Sequence, residues 1–417
     1  MSETDARFIL AGDTGGIVKL LTYVPQQNVV GLCAPSVRPQ YLDEIESLGQ
    51  ELNIPRVVQP RPNDPLFAQF VLEVQSLRAD LFLVNSYSML MTRQLLKSTR
   101  RGGVNLHGAL LPRNRGPNPT QWAMIRGETE TGITMHEMSD GLDQGAIIDQ
   151  SKVPIYFDDT WLVIAERLSN ATNVILKKNV PSLLDGGWSS RAQDENLSTH
   201  NVRRTPDDSQ FNWTDPLIDI YRLHRAVLPP HPPAFALDRT GRRIELVEPL
   251  TITGLLERVV NHRTACDKAS SGLVWTEESA GVDGGATLLR PIALKDSEFL
   301  GELAVNGESG GVDREFWPSS EADTSEWIRC HRGFGDKAIV FAAENAQGVT
   351  TGLFALRNID WENQSAEFVL GVSRLSGLSD GAARSIQQRL CDFGFFDLRL
   401  RTISIPGLQG KFLSNSP

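Results

Sequence analysis

Short apolar runs alternate with helix-like segments through the first hundred residues of the chain. The runs occupy residues 8–12, 29–33, 80–84 and 103–107, and helix-like segments lie around 40–52 and 66–78. Short apolar runs of this kind are typical of strands that are buried on both faces. Because parallel strands are joined by crossover helices, the pattern predicts an α/β unit with a parallel, doubly wound sheet.

The length of 417 residues exceeds what one such unit needs, at roughly 150 residues per domain. A helix-like segment from about residue 159 to 185 ends at Gly186, and two polar segments without periodicity, 188–204 and 267–286, follow as predicted linkers. The sequence therefore predicts three domains, at residues 1–187, 205–255 and 287–417. The second of these is expected to be small and β-rich, and the third to be mixed α/β.

The charge balance of the chain is acidic. Its net charge of −10, from 41 Lys and Arg against 51 Asp and Glu, disfavours a protein whose main task is to bind nucleic acid. The four cysteines are scattered without metal-ligand spacing, which is typical of free thiols in a reducing compartment. With a polar N-terminus and no apolar run of about 18 residues, the expectation is a cytoplasmic protein without membrane spans.

The densest group of polar residues lies in segments 103–116, 131–136 and 140–145. Side chains at positions i and i+2 of a strand point to the same side, so Asn105 and His107 are expected to project together near the end of their strand. Ligand sites in open α/β sheets lie at that end. A loop that carries Asp143 between Gly141 and Gly145 is able to approach the same crevice closely.

An amide, an imidazole and a carboxylate together provide what acyl transfer to an amine requires. The amide supplies a donor for a developing oxyanion, the imidazole moves a proton, and the carboxylate stabilises the charged imidazole. Because no G-x-S-x-G motif is present, direct transfer is favoured over a covalent acyl-enzyme. Each element also has a structural interpretation, since a lone strand His is commonly structural and a G-x-D-x-G loop is commonly a turn. The glycine-rich turn at 12–16 lacks G-x-G-x-x-G and a Walker lysine, which favours a structural turn over a nucleotide site.

These segments resemble the folate-dependent formyltransferase family. The matching positions are Asn105 to Pro112, Arg115-Gly116, Pro119, Trp122-Ala123, Gly127-Glu128, Thr131 to His136, and Gly141 to Gln150. The resemblance implies a Rossmann-like catalytic domain that uses N10-formyltetrahydrofolate. It implies that Asn105 holds the formyl oxygen, that His107 takes part in proton transfer, and that Asp143 supports His107. Ala109, where many relatives have Ser, departs from the pattern, and we expect altered loop contacts there without loss of activity.

The same resemblance implies a set of folate contacts. Residues 84–90 are similar to the family's loop beside the pteridine ring. The positions implied to contact the folate are Ser86, Tyr87, Met89, Leu90, Leu110, Leu111, Pro112, Gly141 and Leu142.

The second predicted domain extends the resemblance to the tRNA and sugar branches of the family. Segments 205–213, 220–226 and 230–236 are similar to the small, OB-like C-terminal domain of those enzymes. The acceptor implied is the primary amine of a small molecule, most plausibly a nucleotide-linked amino sugar. Methionyl-tRNA is the alternative acceptor, and both the acidic charge and the extra domain disfavour it. A homodimer is expected only from base rates for soluble enzymes.

The third predicted domain resembles a GNAT-type N-acetyltransferase. Residues 288–299, 341–345, 356–360 and 365–371 carry that resemblance, and the family's pyrophosphate-binding loop corresponds to residues 374–381. In this loop Ser379 replaces a small residue and Asp380 adds negative charge near the phosphates, which weakens the expectation of acetyl-CoA binding. A non-catalytic binding module is therefore favoured. An active acetyltransferase, with Glu367 as its base, is the alternative.

Overall fold

The computed structural model describes residues 6–252, 254–256, 258–259, 262, 288–306, 316, 324, 327–328, 337–345, 347–361, 363–371, 380–405 and 412–414. Contacts divide the chain into two compact units. The first unit comprises residues 1–155 and 161–204, and the second comprises residues 156–160 and 205–417. The second and third predicted domains thus fall in one unit.

The first unit is built on a seven-stranded sheet of order β3-β2-β1-β4-β5-β6-β7. Its elements are β1 (Phe8–Gly12), α1 (Thr14–Leu21), β2 (Val29–Pro35), α2 (Leu42–Leu52), β3 (Arg56–Gln59), α3 (Phe67–Ser76), β4 (Leu81–Asn85), α4 (Arg93–Leu96), β5 (Gly103–His107), α5 (Pro119–Ile125), β6 (Glu130–Glu137), β7 (Ile147–Pro154) and α6 (Trp161–Asp185). Strands β1 to β5 pair in parallel, whereas β6 and β7 pair antiparallel. The predicted Rossmann-like sheet is confirmed, with an antiparallel extension that the apolar runs did not indicate.

The apolar runs form strands because helices cover both faces of the sheet. Every residue of β1 is buried, and one of the cores lies between the sheet and α3, with Phe70, Val74 and Phe82 among its members. A Cβ on Gly12 would clash with the carbonyl oxygen of Asn85 on the neighbouring strand. This close approach explains the glycine at that position and supports a structural role for the 12–16 turn.

Residues 188–204 do not form the linker that their polarity predicts. Arg191 pairs with Ile147 next to β7, and His200 forms a bridge with Arg115. Ile147 and Arg115 both lie in the first unit. Segment 188–204 therefore packs along the sheet edge that carries the polar residues. Its polarity reflects the hydrogen bonds that it makes there.

The second unit contains a hairpin and a second sheet. Its elements are α7 (Leu217–Ala226), β8 (Ala234–Leu237), β9 (Arg243–Leu246), β10 (Leu288–Pro291), α8 (Ser297–Asn306), β11 (Ala338–Glu344), β12 (Thr350–Asp360), β13 (Ser365–Gly371), α9 (Asp380–Phe396), β14 (Thr402–Ser404) and β15 (Phe412–Ser414). Strands β8 and β9 form a two-stranded sheet, and β10 to β15 form a six-stranded sheet in sequence order. In that sheet only β13 and β14 pair in parallel.

The predicted β-rich segment at 205–255 corresponds to α7 and the β8–β9 hairpin. Within its described residues no further strand is present that could close an OB-like barrel, so the expected barrel is reduced to one hairpin. Asp397 connects this segment to the six-stranded part of the unit, because its Oδ1 accepts a hydrogen bond from Leu217 N (3.3 Å) and its backbone oxygen accepts one from Ile218 N (2.8 Å). These bonds satisfy two N–H groups at the start of α7.

The helices over the described ranges are too short or too polar to cross a membrane. The predicted pyrophosphate loop at 374–381 lies outside the described residues, apart from the backbone of 380–381 at the start of α9.

Candidate active site

The candidate site lies at the carboxyl end of β5, where β6 runs antiparallel beside it. The register places His136 of β6 opposite Asn105 and Thr134 opposite His107. Asn105 Nδ2 lies 3.2 Å from His136 Nε2. Both Asn105 and His107 are therefore brought to the sheet edge that the sequence predicts, together with a second histidine.

His136 orients the amide of Asn105. Its Nδ1 lies 2.8 Å from the carbonyl oxygen of Glu137, which can only accept, so Nδ1 carries the proton. Asn105 Nδ2 can only donate, so His136 Nε2 accepts its hydrogen bond. This contact uses one of the two amide N–H groups of Asn105 and fixes the direction of the other.

His107 is nearly buried, with 7% of its surface exposed. Its Nε2 donates a hydrogen bond to the carbonyl oxygen of Asn114 (2.8 Å), and its Nδ1 faces Asp143 Oδ2 at 3.5 Å. Burial lowers the pKa of His107, against the opposing effects of the Asp143 charge and the Asn114 carbonyl. The ring is therefore oriented by a backbone carbonyl, in addition to Asp143, the partner that the resemblance implies.

Asp143 is held as a carboxylate. Burial raises its pKa, but contacts with His136, the charge of His107 and the N–H of Gly116 outweigh that effect and bring the pKa to about 2. Its Oδ2 accepts a hydrogen bond from Gly116 N (2.8 Å), and its Oδ1 lies 3.6 Å from His136 Nε2. Asp143 is thus ionised at neutral pH and lies between two imidazoles.

The segment that follows β5 supplies the Asn114 carbonyl. Leu111 is buried, and its backbone N–H and C=O are bound by the side chains of Thr134 and Gln150. The Leu111–Pro112 peptide is cis, and Leu110 packs against Gly132 of β6. Leu110 and Leu111, predicted as folate contacts, therefore also fix the path of the chain from β5 to Asn114.

Ala109 contributes through its backbone, because its carbonyl oxygen accepts a hydrogen bond from Thr134 Oγ1 (2.6 Å). A main-chain contact of this kind does not depend on the Ser found in relatives. This observation is consistent with the expectation that Ala109 does not abolish activity.

The predicted folate loop follows β4 at the same edge of the sheet. Ser86 is exposed and has a left-handed backbone (φ 56°). Tyr87 instead packs against the core, with its hydroxyl donating to Gln59 Oε1 (2.8 Å). Gln59 Nε2 donates to the carbonyl oxygen of Leu90 (2.9 Å), so buried Gln59 holds both ends of the loop. Tyr87 therefore anchors the loop through its hydroxyl.

Two exposed leucines lie on the loops that border the site. Leu90, in the loop after β4, is 55% exposed, and Leu142, beside Asp143, is 50% exposed. An ion pair between Arg93 and Asp140 (3.4 Å) joins these two loops. Among the described residues no cluster of His, Cys, Asp and Glu could hold a metal ion.

Several residues of the site carried no individual signal in the sequence. His136 was visible only as part of the matching motif, because its role depends on the register between β5 and β6. Asn114 acts through its carbonyl oxygen and Gly116 through its N–H, and every residue except proline has both groups. The polarity of residues 188–204 was a sequence feature that could have pointed to a role for Gln193. We interpreted that polarity as typical of a linker.

The fold and the site together define an α/β unit with a polar cluster at the carboxyl edge of its sheet. Residues 56–180 match the family model for formyl transferase. This match confirms the formyltransferase resemblance over that part of the sequence. The match ends at residue 180, and the GNAT-like resemblance of the C-terminal segment stays a prediction.

Solved structures that resemble this chain include three bacterial formyltransferases. A sugar N-formyltransferase from Shewanella sp. has a TM-score of 0.49 and 19% identity, covering 58% of this chain and 97% of that one. A 4-N formyltransferase from Francisella tularensis has a TM-score of 0.49 and 16% identity, covering 59% and 98%. An N-formyltransferase from Helicobacter canadensis, in complex with folinic acid and dTDP-3-aminofucose, has a TM-score of 0.43 and 18% identity, covering 53% and 80%.

Proposed function

We propose that this protein is an N-formyltransferase that moves a formyl group from N10-formyltetrahydrofolate to the primary amine of a nucleotide-linked amino sugar. The observation that carries the proposal is the convergence of Asn105, His107 and Asp143 at the end of β5, within the formyltransferase domain. His107 Nδ1 lies 3.5 Å from Asp143 Oδ2, and His136 Nε2 lies 3.2 Å from Asn105 Nδ2 and 3.6 Å from Asp143 Oδ1.

Asn105 is the proposed oxyanion donor. One of its amide N–H groups is taken by His136 Nε2 at 3.2 Å, and the other is directed by that contact. A side-chain amide positioned before the reaction stabilises a developing negative charge without reorganisation, and such a donor contributes about 10²–10³ in rate. We assign Asn105 to the formyl oxygen on this basis.

His107 is the proposed acceptor of the proton that leaves the amine. Because burial lowers its pKa, the ring is neutral at neutral pH, and its Nε2–H is directed at the Asn114 carbonyl. The lone pair is then at Nδ1, 3.5 Å from Asp143 Oδ2. A proton taken up at Nδ1 forms an ion pair with the Asp143 carboxylate, which stabilises the imidazolium.

The loops after β4 and around Asp143 fit a folate donor. The exposed Leu90 and Leu142 offer apolar contacts for a flat ring, and Ser86 and Gly141 lie in the same two loops. Gln59 keeps the first loop in place through the Leu90 carbonyl. When bound, N10-formyltetrahydrofolate supplies the formyl carbon that the amine attacks.

The choice of acceptor rests on the charge of the chain and on the spacing of its motifs. A net charge of −10 disfavours a tRNA acceptor, because tRNA binding depends on neutralising phosphates. The motif spacing resembles the tRNA and sugar branches of the family. Because tRNA is disfavoured, we propose an amino-sugar nucleotide as the acceptor.

The test is to incubate the full chain with the formyl donor and a panel of amino-sugar nucleotides, with charged initiator tRNA as the comparison. Mass spectrometry of the acceptor shows which amine gains a formyl group. We expect product on at least one amino-sugar nucleotide. Product on tRNA alone would overturn the sugar assignment.

For the C-terminal segment at 287–417 we propose a binding role without acetyl transfer. The stretch at 374–381 that resembles the pyrophosphate loop carries Asp380 in its sequence, and a negative charge in such a loop opposes a phosphate ligand. Calorimetry with acetyl-CoA tests this, and a stoichiometric binding signal would contradict the proposal.

A further inference from the structure

We propose that Gln193 is a positioning residue that holds Asp143 in place beside His107. The proposal rests on the proposed function, since Asp143 matters as the partner of the reacting imidazole. Gln193 lies in the polar segment 188–204, which packs against the site. Its side chain contacts the backbone of the Asp143 loop.

The backbone of the Asp143 loop has little freedom. Asp143 adopts a left-handed conformation (φ 55°), which costs free energy in a residue other than glycine and persists only where the surroundings hold it. At Gly145 a Cβ would clash with the carbonyl oxygen of Glu137, so the loop is pressed against β6. The carbonyl groups of Asp143 and Gly145 both point to one side chain.

That side chain is the amide of Gln193. Its Nε2 donates to the carbonyl oxygen of Asp143 (2.8 Å) and to that of Gly145 (2.7 Å). Its Oε1 accepts from Arg115 Nε (3.1 Å) and Nη2 (2.8 Å). Because a guanidinium only donates, the oxygen must face Arg115 and the NH₂ group must face the two carbonyls. The direction of the Gln193 amide is thereby fixed.

Arg115 anchors the side chain of Gln193. Its side chain is fully buried, and both oxygens of Glu195 accept from its Nη atoms (2.8 and 2.7 Å). The next residue, Gly116, donates its N–H to Asp143 Oδ2 (2.8 Å). The Arg115-Gly116 dipeptide therefore holds the Asp143 carboxylate directly and the Asp143 backbone through Gln193. A displacement of about 1 Å in such a group can cost about 10²-fold in rate.

The sharpest test is Gln193→Glu. This change keeps the shape of the side chain and an acceptor for Arg115, but it places a carboxylate oxygen against the carbonyls of Asp143 and Gly145. We expect kcat to fall by about 10–100-fold, with KM for donor and acceptor little changed, because positioning is lost while binding is not. Gln193→Leu removes the hydrogen-bond donor without adding charge, and we expect it to lower kcat as well. Wild-type kcat in either folded variant would overturn the proposal.

Asp194→Ala is the matched control. Asp194 is the next residue along the same segment, is exposed, and its carboxylate accepts hydrogen bonds from the backbone and side-chain N–H groups of Asn196. Its loss weakens the local turn without touching the Asp143 loop, so kcat should stay close to that of the wild type. An equal fall of kcat in Asp194→Ala would show that the segment acts by general stability, and would also overturn the proposal.

Hydrogen exchange separates this proposal from the proposed function. Peptides covering residues 139–146 should exchange faster in Gln193→Leu and Gln193→Glu than in the wild type, and at the wild-type rate in Asp194→Ala. If the wild type formylates none of the amines, the proposed function fails, and the exchange comparison still decides whether Gln193 holds the loop. Unchanged exchange in both Gln193 variants would contradict the positioning role.

Discussion

His107 Nε2 donates a 2.8 Å hydrogen bond to the backbone carbonyl oxygen of Asn114. This contact commits the proton of the neutral ring to Nε2 and leaves Nδ1 facing Asp143. The proposed catalytic use of His107 therefore depends on the path of the loop after β5 as much as on the carboxylate.

Substitution of His107 or Asp143 by Ala should remove most formyl transfer. A positioned proton acceptor contributes about 10²–10⁴ in rate, and each substitution removes either the acceptor or the charge that stabilises its protonated form. Neither change removes Leu90 or Leu142, so calorimetry should show folate binding close to that of the wild type. Single-turnover rates check the first expectation, and near wild-type turnover in either variant would show that the roles are misassigned.

Asn105→Ala should lower kcat by about 10²–10³, because it removes the oxyanion donor. The same change leaves His136 Nε2 without its amide partner, so a modest loss of stability is also expected. Steady-state kinetics with saturating donor measure the first effect, and thermal denaturation measures the second. A change in KM alone, with kcat retained, would instead assign Asn105 to binding.

The rate should depend on pH with a midpoint below the ordinary histidine value of 6.5. Burial lowers the pKa of His107, and the neutral form is the one that accepts a proton, so kcat/KM should rise with pH through that midpoint and then level off. The Asp143 charge raises this pKa, and Asp143→Asn should therefore move the midpoint to lower pH while the maximal rate falls. A midpoint shifted upward in Asp143→Asn would contradict the arrangement.

The second unit should lose stability in mild acid because of His224. Burial, together with the charge of Arg258, lowers the pKa of His224 to about 4. In the unfolded chain His224 binds a proton near pH 6.5. The contribution of neutral His224 to the free energy of unfolding is therefore complete above that pH and is lost as the pH falls towards 4. Between pH 7 and 5 the expected loss in unfolding free energy is about 2 kcal/mol.

Urea denaturation of the wild type and of His224→Leu at pH 7 and pH 5 measures this effect. The variant should be less stable than the wild type at pH 7, but its stability should change less between the two pH values. An equal change in both proteins would assign the acid sensitivity to other groups.

Asp397→Ala should destabilise the second unit by about 1–2 kcal/mol. The carboxylate accepts a hydrogen bond from Leu217 N at the start of α7, and loss of a side-chain acceptor at a helix N-terminus has this cost. Asp392→Ala is the control, because Asp392 is exposed and accepts from Gln388 within α9. Calorimetric melting should separate the two variants, and equal melting temperatures would show that Asp397 does not stabilise α7.

The local pattern was sufficient for much of the first unit. Apolar runs indicated the strands of the parallel sheet, and the i, i+2 spacing of Asn105 and His107 placed both at its carboxyl end. The turn at Gly12 was interpreted as structural, and the close approach to Asn85 supports that interpretation. These features depend on residues near one another in the chain, where periodicity and turn chemistry are informative.

Other features depend on pairing between distant segments. The antiparallel register of β5 and β6 brings His136 to Asn105, and a shift of one residue would have turned His136 to the other face. The hydroxyl of Tyr87, a residue predicted to contact the folate, donates to Gln59, 28 residues earlier, and the sequence did not indicate this contact. The 188–204 segment looked like a linker because its hydrogen-bond partners lie about 50 to 85 residues away.

The amino-acid sequence was enough to predict the α/β class and the formyltransferase motif and to propose Asn105, His107 and Asp143 as site residues, because each of these is encoded in short-range spacing. The tertiary structure decided how those side chains are oriented. The ring of His107 is oriented by a carbonyl of the main chain, and the loop of Asp143 by a glutamine from a segment that lies beyond α6. Backbone groups are the same in nearly every residue, so only the folded path of the chain determines which of them reach the site.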